Sequence, residues 1–286
     1  MEVLPKIHIE QAYPMNGKKR GLALIFSHSK FQFEKPREGN DQDCKQIKSL
    51  LEKLGFEINI HTNYKRKKIF RTLARVSKMD HSDHDCLAIV VMTHGNSGIL
   101  YAYDEGYKIH EFWSMFATKN CPSLKGKPKL FFIQACRGND TDSGEVKMED
   151  PCFQYQSGSN CSSTTDPVMF KETEENLEMF LTPNEPDFLI GYATVAGHCA
   201  YRINGKGSWY IKELCSVFEN YGRNYDLLTL LTFVAQHVAV KYVSYSIWES
   251  KNNKTQIPCI IHTLVKQLYF FPEEAEVLVK SICRHK

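Results

Sequence analysis

The stretch that decides the fold is LFFIQACRG, which runs from Leu130 to Gly138. It begins with an apolar run of the kind found in strands that are buried on both faces of a sheet. A cysteine directly after such a run lies where α/β proteins place reacting groups, at the carboxyl end of a parallel strand. His94 ends a second apolar run, which begins at Cys86. The pattern makes Cys136 a candidate nucleophile and His94 its candidate base.

Apolar, β-rich runs alternate with helical patterns along most of the chain. The predicted strands are Gly21–Ser27, Phe56–His61, Cys86–Thr93, Leu130–Gln134, Phe188–Thr194 and a last one within Ile257–Phe271. Apolar residues at helical spacing predict helices over Asp41–Leu54, Tyr64–Ser77, Ser208–Tyr221 and Leu227–Val243. This alternation indicates an α/β fold with a parallel sheet.

The segment from Asn139 to Pro186 differs from the rest of the chain. It is rich in Ser, Thr, Asp, Glu, Asn and Pro, and its middle shows little periodicity. A loop of this length inside a compact domain is usually functional or disordered. We therefore expect two sequence blocks that share one sheet and are joined by a polar linker.

The composition argues against several classes of protein. The net charge is only +3, and the basic run Lys65–Lys68 is better explained as a solvated helix face than as a nucleic-acid site. The ten cysteines show no CxxC spacing, which argues against a zinc site. Met1–Arg20 lacks the apolar core of a signal peptide, and no apolar run is long enough to cross a bilayer. We expect a cytoplasmic protein with reduced thiols and without a cofactor, metal, membrane or nucleic-acid partner.

The chemistry of Cys136 and His94 fits acyl transfer. A thiol attacks a carbonyl as a thiolate, and a nearby imidazole can take its proton and then protonate the leaving amine. The developing oxyanion needs donors, which the backbone N–H groups of Gly95 and Cys136 could supply. Alone, the cysteine would more simply fill the core and the His-Gly pair would form a turn. The full pentapeptide Gln134–Gly138, combined with His94, favours catalysis.

The chain resembles a caspase, an aspartate-directed cysteine protease, from about Gly21 to Phe271. The pieces that carry the resemblance are GLALIFSHSKF, REGNDQD, VMTHG, FFIQACRG, PDFLIGYATVAG, YRINGKGSWYI and QIPCIIHTLVKQLYFFP. Together they are closer to animal caspases than to metacaspases or paracaspases, which share the His/Cys dyad. The resemblance implies a central, mostly parallel six-stranded sheet with helices on both faces, and a dimer that joins two sheets.

By this resemblance, the P1 aspartate of the substrate is bound by Arg37, Gln134 and Arg202. A carboxylate that loses its water in a pocket needs charge-assisted donors, and guanidinium groups supply them. A glutamine amide adds a neutral donor.

Further substrate contacts are implied for Tyr201, Ile203, Trp209 and Trp248. Ile203 stands where acid-preferring executioner caspases have a polar asparagine, so we expect an aliphatic or aromatic P4 residue rather than aspartate. In the P2 region, His198, Cys199 and Tyr201 replace positions that are more strongly aromatic in the family.

The resemblance also implies a zymogen with a short N-terminal segment, residues 1–20, and a single caspase domain, residues 21–286. Twenty residues cannot fold a recruitment domain, so the chain resembles an effector-type caspase. The domain divides into a large-subunit block (about 21–142), a linker (143–186) and a small-subunit block (187–286). Asp150 and Asp166 each precede proline and are poor cleavage sites. We expect either unusual processing, for example after a linker glutamate, or activity as an uncleaved dimer.

Two functions are consistent with these observations. The first is an active endopeptidase that cleaves proteins after aspartate through an acyl-enzyme, in apoptosis. The second is a weakly active regulator that pairs with another caspase, an alternative kept open by the changed P2 and P4 residues and the poor processing sites. The expected partners are proteins with aspartate at P1, a second copy of the chain or other caspases, and caspase inhibitors.

Overall fold

The structure, a computed structural model, describes residues 11–144, 186–203, 205–245 and 252–271. Its strands are β1 (Lys19–Ser27), β2 (Glu57–Thr62), β3 (His84–Met92), β4 (Gly95–Asn96), β5 (Ile99–Tyr101), β6 (Gly106–Lys108), β7 (Lys129–Gln134), β8 (Phe188–Tyr192), β9 (Arg202–Ile203), β10 (Gly207–Ser208) and β11 (Cys259–His262). Its helices are α1 (Asn40–Lys53), α2 (Arg66–Ser77), α3 (Ile109–Ser114), α4 (Trp209–Tyr221) and α5 (Leu227–Lys241), with a 3₁₀ turn at Pro122–Leu124.

Six strands form the central sheet in the order β11-β8-β7-β3-β1-β2. The first five along the chain (β1, β2, β3, β7 and β8) are mutually parallel, and β11 runs antiparallel to β8 at the edge. The prediction of a mostly parallel six-stranded α/β sheet is therefore confirmed. Strands from both sides of residues 145–185 belong to this sheet, since β8 and β11 follow that segment in the chain.

Both faces of the sheet are covered, and strand β3 shows how. Its alternate residues Ala88 and Val90 point into the core formed with α1, α4 and α5. Leu87, Ile89 and Val91 point into the opposite core, formed with α2 and α3. Burial on both faces explains why this strand is an almost continuous apolar run, because neither side can carry polar groups without partners.

The sequence patterns missed several short elements. These are the small sheet β4-β5-β6, the hairpin β9-β10 and helix α3. Elements of two to six residues are too short to show a hydrophobic period, so periodicity could not find them. Residues 145–185, most of the predicted linker, lie outside the described residues.

Two features of the described residues concern membranes and metals. No helix among them is both long and apolar enough to span a membrane. Nor do the described residues bring together three or more His, Cys, Asp or Glu side chains that could hold a metal ion.

Candidate active site

The register between β3 and β7 brings the two candidate catalytic residues together. These strands are parallel neighbours, and Met92 lies opposite Gln134. The Thr93 N–H donates to the Gln134 carbonyl at 3.0 Å and extends the pairing by one residue. His94 and Cys136 each come two residues after that pair, so they leave the same edge of the sheet on adjacent strands. Both side chains are half-buried.

Gly95 allows the two strand ends to approach closely. A β-carbon at this position would lie 2.5 Å from the carbonyl oxygen of Cys136 and 3.0 Å from the Ala135 β-carbon. Any side chain would therefore force the two segments apart. Gly95, predicted as an oxyanion donor, packs directly against the backbone of the candidate nucleophile.

The His94 ring is oriented by a backbone carbonyl. Its Nε2 lies 2.8 Å from the oxygen of Lys35, which can only accept, so Nε2 carries a proton and Nδ1 is the acceptor of the neutral ring. The Phe31 ring packs on it with the centroids 4.7 Å apart. Burial, reinforced by the charges of Arg37 and Arg202, lowers the pKa of His94, although the Lys35 bond acts in the other direction. The imidazole is therefore neutral near pH 7 and able to accept a proton.

The Cys136 thiol lies in surroundings that favour its charged form. Its sulfur accepts a hydrogen bond from the Ala200 N–H at 3.3 Å. A hydrogen bond with the Cys199 side chain, assisted by the Ala200 N–H and by the charges of Arg37 and Arg202, lowers the pKa of Cys136 to about 6, although burial opposes this shift. A low pKa of this kind is typical of reactive rather than structural cysteines.

Arg37 and Gln134 carry unused polar atoms in the interior. Arg37 is 3% exposed, and its Nη1 donates to the His28 carbonyl and to the Asn40 side chain. Its Nη2 and the Gln134 Oε1 are buried without a hydrogen-bond partner among the described residues. Burial, followed by the charge of Arg202, lowers the pKa of Arg37 to about 9.

Arg202 completes this group from the other sequence block. It lies in β9, and its Nε is likewise buried and unpartnered within the part of the chain that the structure describes. The pKa of Arg202 is lowered, mainly by burial. The three residues predicted to bind a P1 carboxylate therefore lie beside the candidate dyad, where the charges of both arginines act on His94 and Cys136. Buried cationic N–H groups without an acceptor are costly unless a ligand supplies one.

Asp43 is a site residue that the sequence analysis missed. It is fully buried, and its carboxylate accepts the Ser208 N–H at 2.7 Å and the Ser208 hydroxyl at 2.8 Å. Ser208 lies opposite Arg202 in the β9-β10 hairpin. Gly207 is in the left-handed region (φ +91°), and a β-carbon there would lie 2.4 Å from Asp43. Asp43 thus positions the hairpin that carries Arg202.

The residues predicted to form the outer substrate pockets differ in how far they are exposed. Tyr201 stacks on Trp209, and Trp209 stacks on Tyr242, with centroid distances of 4.9 and 5.1 Å. Trp209 is only 4% exposed, so Tyr201 covers much of its ring. Ile203, at 36% exposed, is the more open apolar side chain. Trp248 lies outside the described residues.

Comparison with known proteins agrees with this geometry. The sequence profile of the family described as Caspase domain matches residues 20–269. The chain belongs to the caspase family. As a caspase, it is a cysteine-type endopeptidase directed to aspartate. The family resemblance seen in the sequence motifs is thereby confirmed.

Relatives of this caspase include insect and vertebrate enzymes. Caspase drICE of Drosophila melanogaster is 38% identical over 261 residues, which is 90% of this chain and 72% of that protein. Caspase-7 of Gallus gallus is 33% identical over 90% of this chain and 79% of its own length. The crystal structure of Caspase-1 from Spodoptera frugiperda matches with a TM-score of 0.79 at 36% identity, and the match covers 94% of this chain and 97% of that one.

The thiol pKa can be measured directly. Because Cys136 is a thiolate above pH of about 6, its alkylation by iodoacetamide should rise with pH to a midpoint near 6. An unperturbed thiol has a midpoint of about 8.5. Removal of the neighbouring donor in Cys199→Ala should move the midpoint upward. Mass spectrometry of the Cys136 peptide after timed alkylation would report it.

The matched control is Cys44→Ser. Cys44 is also half-buried, but burial raises its pKa. This variant should leave the midpoint at Cys136 unchanged. A midpoint near that of a free thiol in the unaltered protein would contradict the expectation.

Proposed function

We propose that Cys136 and His94 form the catalytic dyad that cleaves proteins after aspartate through an acyl-enzyme. The Cys136 thiolate attacks the carbonyl carbon of the scissile bond, and the N–H groups of Gly95 and Cys136 stabilise the oxyanion. His94 takes the proton of the Cys136 thiol on Nδ1, gives it to the leaving amine and then activates the water that hydrolyses the thioester. The paired ends of β3 and β7 and the lowered pKa of the thiol support these roles.

The observation that carries the proposed specificity is the group of buried polar atoms without partners beside the dyad. The unpartnered atoms are Arg37 Nη2, Arg202 Nε and Gln134 Oε1, as far as the described residues extend. A glutamine amide can present its nitrogen after rotation, since the two ends of the amide are nearly alike in shape. An aspartate carboxylate at P1 would give both guanidinium groups charge-assisted acceptors.

Substitution of the two arginines tests this pocket. Loss of one charge-assisted contact should lower kcat/KM for a peptide with P1 aspartate by roughly 10- to 100-fold in Arg37→Ala and in Arg202→Ala. Arg202→Lys should restore little, because a lysine cannot reproduce the planar fork. Arg71→Ala, on the exposed face of α2, is the matched control and should retain full activity. Unchanged kinetics in both pocket variants would refute the assignment.

The regulator hypothesis is kept open by the changed P2 and P4 residues and by the prolines that come after Asp150 and Asp166. A peptide with aspartate at P1 and an electrophile in place of the scissile bond distinguishes an active protease from a regulator. An active protease should be labelled at Cys136, and Cys136→Ala should lose the label. A regulator without activity would remain unlabelled and would instead associate with an active caspase.

The outer specificity of the site depends on Ile203, which is 36% exposed on β9. In a peptide library with fixed P1 aspartate, we expect aliphatic or aromatic residues to be selected at P4. Ile203→Asn should move the selection toward P4 aspartate, because it restores a polar partner. A strong P4 aspartate preference in the unaltered enzyme would show that this interpretation of the pocket is wrong.

We further propose that the active state is a homodimer that acts in apoptosis. Strand β11 lies at the edge of the sheet and pairs with β8 on one side only, within the described chain. An edge strand of this kind can pair with its symmetry mate and join two sheets. Sedimentation of the active enzyme should give twice the mass of the chain. Full activity in a persistent monomer would contradict this assembly.

The division into subunits remains part of the same proposal. Residues 21–142 would form the large subunit, 143–186 the linker and 187–286 the small subunit. The bridge between Asp142 and Thr255 already ties the end of the first block to the second. This contact does not require a cut linker, so an uncleaved chain can hold both blocks together.

A further inference from the structure

The candidate nucleophile has a second thiol beside it, contributed by a distant segment. The residues after Cys136 run next to residues 197–199, joined by a parallel bridge between Asp140 and His198. Backbone hydrogen bonds link the two segments in both directions. They include Arg137 N–H to His198 O at 2.9 Å and Cys199 N–H to Asp140 O at 2.9 Å. The backbones that carry Cys136 and Cys199 are therefore fixed relative to each other.

The sulfur atoms reach across this contact toward the opposite segment. The Cys136 sulfur lies 3.3 Å from the N–H of Ala200, the residue after Cys199. The Cys199 sulfur lies 3.6 Å from the carbonyl oxygen of Gly138, two residues after Cys136. The Cys199 side chain is also the largest influence on the pKa of Cys136, which it lowers. Both residues are half-buried, so a small molecule can reach them.

The other described cysteines provide a contrast. All the cysteines that the structure describes are thiols rather than disulfides. Burial raises the pKa of four of them, Cys44, Cys86, Cys121 and Cys215. Raised pKa values make thiols slow to oxidise, since the thiolate is the reacting species. Cys136 differs from these four, because its pKa is lowered and the adjacent segment contributes a second thiol.

We propose that Cys136 and Cys199 form a redox-modification site, in which a hydroperoxide oxidises Cys136 and Cys199 then closes an intramolecular disulfide. The substrate of this modification is hydrogen peroxide or a small organic hydroperoxide. The disulfide is reversible by thiols and removes the nucleophile, so the part of the inference that concerns activity rests on the proposed protease function. The site also protects Cys136 from irreversible oxidation.

The chemistry balances in two steps. The Cys136 thiolate attacks the terminal peroxide oxygen, the O–O bond breaks, and water or an alcohol leaves after protonation, which produces a sulfenic acid. The deprotonated Cys199 sulfur then attacks the sulfenic sulfur and expels hydroxide, which takes up the proton released by Cys199 and leaves as water. Two thiols lose two electrons and two protons, and one hydroperoxide is reduced.

The geometry needs little rearrangement for the second step. A disulfide requires the two sulfurs to approach to about 2 Å, a movement within reach of side-chain rotation when the α-carbons are suitably spaced. The backbone hydrogen bonds between the two segments hold the two cysteines on adjacent stretches of chain before oxidation occurs. A resolving thiol held in place can react with the sulfenic acid before a second peroxide does.

The experiment treats the reduced full-length protein with hydrogen peroxide and examines its peptides without reduction. We expect a cross-linked pair of peptides containing Cys136 and Cys199, lighter by two hydrogens than the separate thiols. Dithiothreitol should remove the cross-link and restore activity. In Cys199→Ser, Cys136 should instead gain two oxygens as the sulfinic acid, and dithiothreitol should fail to restore the variant's own starting activity.

Two controls separate the possible outcomes. Cys44→Ser should form the cross-link and recover like the unaltered protein, and Cys199→Ala should repeat the result of Cys199→Ser if serine disturbs the fold. Oxidation of Cys136 in the unaltered protein to the sulfinic acid without a cross-link would overturn the proposal, as would equal recovery in the Cys199 variants. Because the cross-link is read by mass, it would appear even in a chain that hydrolysed no peptide, which would refute the proposed function alone.

Discussion

The register of β3 against β7 is the constraint on which the site depends. With Met92 opposite Gln134, the residues two positions further leave the sheet side by side. A shift of one residue would turn every side chain of the shifted strand to the opposite face and disrupt both cores at once, so the packing on the two faces enforces the register. The geometry of the candidate dyad is thereby maintained by hydrophobic burial on both faces of the sheet.

The second constraint is the burial of charge where the two sequence blocks meet. Arg37 comes from the first block and Arg202 from the second, and the charge of Arg202 disfavours the charged form of Arg37. Asp43 favours the charged form of both arginines while it holds Ser208 in the hairpin that carries Arg202. One buried carboxylate therefore fixes both the position and the electrostatics of the pocket. The guanidinium atoms that have no hydrogen-bond partner in the described part of the chain favour the arrival of an anion.

The parts of this architecture that the sequence could predict are those with a local signal. The run from Cys86 to Thr93 and the run before Cys136 are apolar because both faces of these strands are buried. That property can be read directly from the sequence. The Asp43–Ser208 contact joins residues 165 positions apart, and the carbonyl of Lys35 that orients His94 has no side-chain signature. Such contacts depend on how loops pack against one another at the edge of the sheet. Hydrophobic periodicity carries no information about contacts between loops.

Cys199 places a small, polarisable thiol beside the Cys136 side chain. An aromatic ring there would supply bulk, whereas a thiol supplies a hydrogen bond to the Cys136 sulfur and a redox partner. These two properties have one cause, the contact between two sulfurs whose backbones are fixed by hydrogen bonds. A group that makes the nucleophile more acidic by touching it must also be close enough to react with it once it is oxidised. Thiolate activation and reversible inactivation are therefore physically linked at this site.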